Sequence, residues 1–109
     1  MLTDAEIGAL VSDIVALLNP HRVVLFGSYA KGRATATSDL DILVILDTAL
    51  PQGSRAALMA PVIAGYSVPI DAHVYAPREA EVLGAVEHTF MHSIQRTGRV
   101  VYDAGGATP

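Results

Sequence analysis

Residues 25–46 read LFGSYAKGRATATSDLDILVIL, and the two apolar runs in and beside this stretch decide the fold. Val23 to Phe26 is short, apolar and partly β-branched, and Leu40 to Leu46 is apolar at every position except Asp41. Runs of this kind, with no polar alternation, belong to strands that are covered on both faces. Gly27-Ser28 turns the chain after the first run. A one-turn helix is predicted over Tyr29 to Lys31, closed by Gly32, with a polar loop leading to the second strand. The exception at position 41 stands out, because an unpaired carboxylate inside an apolar strand is costly.

The same alternation continues outward. Ile7, Leu10, Val11, Ile14, Leu17 and Leu18 recur at the three-four spacing of one helical face, predicting a helix over Asp4 to Leu18. Thr3 and Glu6 form a capping box at its start, and Asn19-Pro20 stops it. Downstream, the pattern predicts a helix over Arg55 to Ala64 interrupted by Pro61, and a strand over Ile70 to Tyr75. A further helix is predicted over Arg78 to Glu87 after Pro77, continuing through Phe90 and Ile94 to Gly98. Arg99 to Tyr102 completes the set as a last strand. Helices and strands interleaved in so short a chain predict an α/β (α+β) fold, a small mixed β-sheet covered by helices. One domain is expected over residues 1–103. Residues 104–109, AGGATP, have little to bury and are expected to form a flexible tail.

Composition narrows the function. The 109 residues carry a net charge of −4, which opposes non-specific binding to nucleic acid. There is no cysteine, so thiol redox chemistry and Cys-type zinc sites are excluded. The N-terminal segment lacks a basic leader and no apolar run reaches membrane-spanning length, so a cytoplasmic location is expected.

The chemistry concentrates in Gly27-Ser28, followed by ten residues and then Asp39-Leu40-Asp41. This arrangement resembles the nucleotidyltransferase superfamily of DNA polymerase beta. The short form with Lys31, Gly32, Ser38 and the apolar run after Asp41 is similar to its minimal prokaryotic branch. The resemblance covers nearly the whole chain and implies a nucleotidyltransferase fold. It matches Gly27 and Ser28 to the nucleotide-binding turn, with Lys31, Arg33 and Ser38 beside it. Asp39, Asp41 and the later strand residue Asp71 match the catalytic, metal-binding acids. One departure is Lys31, where many relatives carry arginine. Lysine supplies charge but not the planar bidentate phosphate contact.

The residues also make physical sense by themselves. Side chains two apart in a strand share a face, so Asp39 and Asp41 can converge on one site. Asp71 would join them if its strand were the neighbour. Crowded carboxylates favour a proton or a cation, and hard oxygen ligands suit Mg2+. Two such ions, about 3.5 to 4 Å apart, would clamp the attacking and leaving oxygens of an in-line displacement at phosphorus. Asp71 is expected to act as metal ligand or as general base. Other readings compete at each position. A Gly-Ser pair alone is usually a turn, Lys31 and Arg33 read equally well as solvated charges, and His73 shares a face with Asp71, where it could line the site but reads more readily as filler. His88 and His92, four apart, lack a third ligand and read as packing or surface residues.

The acceptor is the remaining question. Stand-alone minimal members of this family are commonly antitoxins paired with a HEPN-type toxin, an RNase that they silence by adding AMP, taken from ATP, to a tyrosine. The resemblance therefore implies a nucleoside triphosphate substrate and a protein partner. The alternatives are an antitoxin that acts by binding alone and a transferase for a small molecule of aminoglycoside type.

Overall fold

The computed structural model describes residues 1–105; positions 106–109 of the expected tail lie outside the described residues. Four strands form one sheet in the order β3-β2-β1-β4. They are β1 (Arg22–Phe26), β2 (Leu40–Ile45), β3 (Ile70–Tyr75) and β4 (Arg99–Asp103). β1 pairs antiparallel with both β2 and β4, whereas β2 and β3 run parallel. The sheet is therefore mixed, as expected.

Helices cover both faces, which explains the unbroken apolar runs. On one face, α1 (Asp4–Leu18) and α3 (Ala60–Ile63) pack over Val23 and Leu25 of β1 and Leu40, Ile42 and Val44 of β2. On the other, α4 (Pro77–Gly84) and α5 (Phe90–Thr97) pack over Val24, Phe26, Leu43 and Ile45. Alternate residues of β1 and β2 thus enter two different cores. The predicted capping box of α1 forms, with Thr3 and Glu6 exchanging side-chain and backbone hydrogen bonds at 3.0 and 3.1 Å. Asn19 ends the helix in the left-handed conformation.

Two helical expectations need correction. The helix expected over Arg55 to Ala64 is a 3-10 turn, Ala56–Met59, running into α3, with Pro61 accommodated in the first turn of α3 rather than interrupting it. The single helix expected from Arg78 toward Ile94 is two helices, α4 and α5. His88 adopts φ 66° at the break, and Thr89 caps α5 through its Oγ1, which accepts from the His92 N–H at 3.1 Å. The same hydroxyl donates toward the carbonyls of Leu83 and Val86. His88 and His92 consequently do not share a helix. After β4, the Ala104 N–H donates to the His21 carbonyl at 2.9 Å and the Gly105 N–H to Asp103 Oδ1 at 2.8 Å.

Glycines mark the tight places. A Cβ on Gly98 would lie 2.5 Å from the Ile94 carbonyl oxygen and 2.7 Å from Val24 Cγ1, so this residue lets the end of α5 approach β1. Gly8, within α1, has open space around it. Gly98→Ala is expected to cost about 1–3 kcal/mol through overpacking, whereas Gly8→Ala should stabilise by about 0.5–1 kcal/mol through helix propensity. Urea denaturation of the two variants checks both signs.

Candidate active site

β2 and β3 are in a register that sets Asp41 directly opposite Asp71, while β1 sets Phe26 opposite Asp41. These three side chains share the sheet face that α4 and α5 cover. Further along that face stand Leu43 and Ile45 of β2 and His73 and Tyr75 of β3. An otherwise apolar face thus becomes acidic at one end. Asp39, two residues before Asp41, is exposed, as is Asp71, whereas Asp41 is half-buried.

Asp41 bears the consequence. Burial raises its carboxyl above the ordinary carboxylate range, with the negative charges of Asp71 and Asp39 adding to the shift and His73 opposing it. The backbone of Gly27 lies against the same carboxylate. A Cβ at position 27 would overlap Asp41 Oδ2, and Gly27 also holds φ 73°, the left-handed region that favours glycine. Two independent constraints therefore require glycine where β1 ends. On the far side, His73 Nε2 lies 3.2 Å from Asp71 Oδ2. The imidazole packs against two phenyl rings, with centroids 5.6 Å from Phe26 and 5.2 Å from Phe90.

A glycine-serine turn, a strand carrying Asp41 with Asp39 just before its start rather than within it, and a parallel neighbour presenting Asp71 form the motif, and residues 9–95 match the sequence pattern of the nucleotidyltransferase domain. The chain belongs to the nucleotidyltransferase domain family. No curated protein matches it in sequence. Among solved structures, a Sulfolobus solfataricus protein assigned as a nucleotidyltransferase has a TM-score of 0.64 at 17% identity, over 94% of this chain and 82% of that one. A toxin–antitoxin structure with AMP-PNP has a TM-score of 0.59 at 17% identity, over 88% and 73%. A mutant of the toxin–antitoxin MntA-HpeT has a TM-score of 0.53 at 22% identity, over 94% and 74%. At these identities the likeness is one of fold.

Within this nucleotidyltransferase fold, the residues singled out from sequence separate into groups. Asp41, Asp71 and Gly27 come together at one end of the sheet, whereas Asp39 is exposed just before β2 and influences Asp41 through its charge. Ser28 follows Gly27 in the one-turn helix α2 (Gly27–Ala30), which begins two residues earlier than expected. Lys31 and Arg33 are exposed in the turn beyond it. Ser38 is engaged within its own loop, where its Oγ accepts from the Thr35 N–H at 2.8 Å. His73, read from sequence as filler, instead contacts Asp71. Its period-two relation to Asp71 was the available signal. Phe90 carried none, because its position depends on the break between α4 and α5.

The donor chemistry fits a hard divalent cation. Among the described residues no group of three or more His, Cys, Asp or Glu side chains forms a ready-made metal cage. Mg2+, however, is usually held by one or two carboxylates together with substrate phosphates. Asp41 and Asp71 supply such a pair, with Asp39 at its rim.

Two outcomes follow for this site. Because the folded-state carboxyl of Asp41 titrates above its unfolded value, its contribution to stability is fully present below the unfolded pKa. That contribution is lost as pH rises through the folded one. In chelator-treated buffer, Asp41→Asn should therefore melt above wild type at neutral pH, with the gain shrinking toward pH 4. A loss of stability at neutral pH would contradict the crowding. Gly27→Ala should destabilise by at least about 1–2 kcal/mol from its backbone conformation alone, measured by the same thermal melts.

Proposed function

We propose that the chain is a Mg2+-dependent nucleotidyltransferase that moves AMP from ATP to a hydroxyl of a partner protein, acting as the antitoxin of a HEPN-type toxin in the cytoplasm. The observation that carries this reading is the placement of Asp41 against Asp71 at the one acidic end of an apolar sheet face. A fold has little reason to place like charges there unless a cation joins them. Family membership supports the transfer chemistry. The toxin–antitoxin neighbours, one with AMP-PNP, support the nucleotide and the class of partner.

We assign residues 1–103 to the catalytic domain. Asp39 and Asp41 would hold two Mg2+ ions, with Asp71 as a further ligand or as the general base, and the nucleotide would lie along Gly27, Ser28, Lys31, Arg33 and Ser38. When bound, the ions supply charge neutralisation at the attacking and leaving oxygens. The acceptor hydroxyl oxygen forms a bond to the α-phosphorus as the bond to the bridging oxygen breaks, and pyrophosphate leaves with that electron pair. The hydroxyl proton passes to a base, for which Asp71 is the candidate if it does not ligate metal. Gly27 permits close approach of a phosphate because no side chain stands in the way. Lys31 and Arg33, exposed beyond α2, offer the positive charge that the acids lack. A bound partner supplies its hydroxyl in fixed geometry, which lowers the entropic cost of attack.

The test is to incubate the protein with the product of its neighbouring gene, ATP and Mg2+, then weigh that product and assay its toxicity. One nucleotide of added mass and loss of toxicity are expected. Asp39→Asn and Asp41→Asn should reduce transfer by at least about 10²-fold while remaining folded. Asp71→Asn should lower it by about 10² to 10⁴ if Asp71 is the base. A double Asp39→Asn/Asp41→Asn variant that still neutralises its neighbour without added mass would replace this reading with inhibition by binding.

A further inference from the structure

Beyond the acids, the site contains a residue whose placement ordinary packing does not explain. His73 follows Asp71 by two positions in β3 and so shares its face. Its Nε2 is 3.2 Å from Asp71 Oδ2, and since a carboxylate only accepts, the imidazole nitrogen donates. The ring is not loose. Phe26 and Phe90 stand 5.6 and 5.2 Å away at interplanar angles of 57° and 53°, and meet each other edge-on at 5.4 Å. These contacts come from three separate elements, β1, β3 and the start of α5.

His73 and Phe26 each have a neighbour in the acid site. Phe26 is paired in register with Asp41, and Asp41 with Asp71. Phe90 is half exposed, at 50%, so core filling is a poor account of its position over the imidazole. A merely apolar cover for β3 would not need a histidine either.

We propose that His73 is a positioning residue, held by Phe26 and Phe90, that fixes the rotamer of Asp71 so that its free oxygen faces Asp41 and a cation between them. The inference rests on the nucleotidyltransferase reading and adds to it a residue that acts through Asp71 without touching substrate. Outer hydrogen-bond partners of this kind typically contribute 10–100-fold in metal affinity by restraining a ligand before the ion arrives.

The experiment uses Mn2+ as the probe, with an ATP analogue that carries a methylene bridge between the α- and β-phosphorus. Free Mn2+ is followed by electron paramagnetic resonance and folding by thermal melts. Wild type should bind Mn2+ in the presence of the analogue. His73→Phe, which keeps a ring among the phenyl groups, should melt close to wild type yet need about 10–100-fold more Mn2+. His73→Gln, which restores an N–H donor at similar reach, should recover most of that loss. Should His73→Phe misfold, Phe90→Ala at an exposed position should shift Mn2+ binding in the same direction by a few fold. If His73→Phe, or Phe90→Ala in its place, binds Mn2+ as wild type does while Asp71→Asn does not, the positioning role is overturned and the metal site stands. A failure of His73→Gln to recover binding overturns the hydrogen-bond role. If wild type itself binds no Mn2+ with the analogue, the metal-dependent reading fails first and this inference goes with it.

Discussion

Asp41 and Asp71 face each other across a parallel strand pair, and like charges so placed repel. The register that opposes them is nevertheless fixed. A slip of one residue in β2 would carry Leu40, Ile42 and Val44 out of one core and Leu43 and Ile45 out of the other. The five residues are buried on opposite faces of the same strand, so a one-residue slip would exchange the two faces and disturb the packing of both cores. The apolar pattern that makes β2 a strand is therefore also what holds the acids together against their charge. Stability is supplied along the strand and locally sacrificed at its end, as is common at functional sites.

Parallel pairing of β2 and β3 demands a crossover, which cannot be a tight turn. Here it is residues 46–69, containing the 3-10 turns and α3. Its anchor is Arg55, buried at 5% exposure. The guanidinium donates to the Leu50 carbonyl at 2.8 Å and to Glu79 Oε2 at 3.0 Å. Glu79 in turn accepts from the Ala76 N–H at 2.8 Å, at the start of α4. This pairing holds the Glu79 carboxyl below its ordinary range, chiefly through its bond to Arg55. One arginine thus ties the crossover to the helix that follows β3, and so helps to seat the strand that carries Asp71.

The sheet was legible in the sequence because its signal is local: apolar runs at Val23 to Phe26 and, Asp41 aside, at Leu40 to Leu46, ended by glycine, serine and acidic residues. Asp41 was legible for the same reason, as a charge where the pattern forbids one. The parallel partnership of β2 with β3 was only a condition in the sequence, since pairing depends on contacts between residues 30 positions apart. Arg55 looked like the first residue of a helix, because nothing local distinguishes a surface arginine from one that meets Glu79 across 24 positions. The division between α4 and α5 was missed on similar grounds. Glu87-His88-Thr89 has no proline or glycine to stop a helix, and the break is held by the Thr89 cap and by Gly84. A Cβ on Gly84 would overlap the end of the Gln95 side chain, which donates to the Ala80 carbonyl at 3.0 Å and so ties α5 to α4. That break places Phe90 over His73, which is why the aromatic group was invisible before the fold was known.

Charge then constrains how any phosphate can enter. Asp41 and Asp71 lie together at the end of β2 and β3 with Asp39 just before β2, and the basic residues that precede them, Lys31 and Arg33, are exposed in the loop beyond α2. A bare triphosphate approaching Gly27 would meet the Asp41 carboxylate immediately behind the glycine backbone. The repulsion is least screened where the carboxylate is partly buried. Divalent cations reverse the sign of that encounter, because the ion's own charge becomes the largest local charge in the site. The close approach allowed by glycine and the crowding of the acids are thus complementary. The first brings phosphate oxygens near the carboxylates, and the second makes that proximity unfavourable unless cations bridge the two. On the proposed reading, a site built this way would discriminate against the uncomplexed nucleotide without needing a dedicated residue to exclude it.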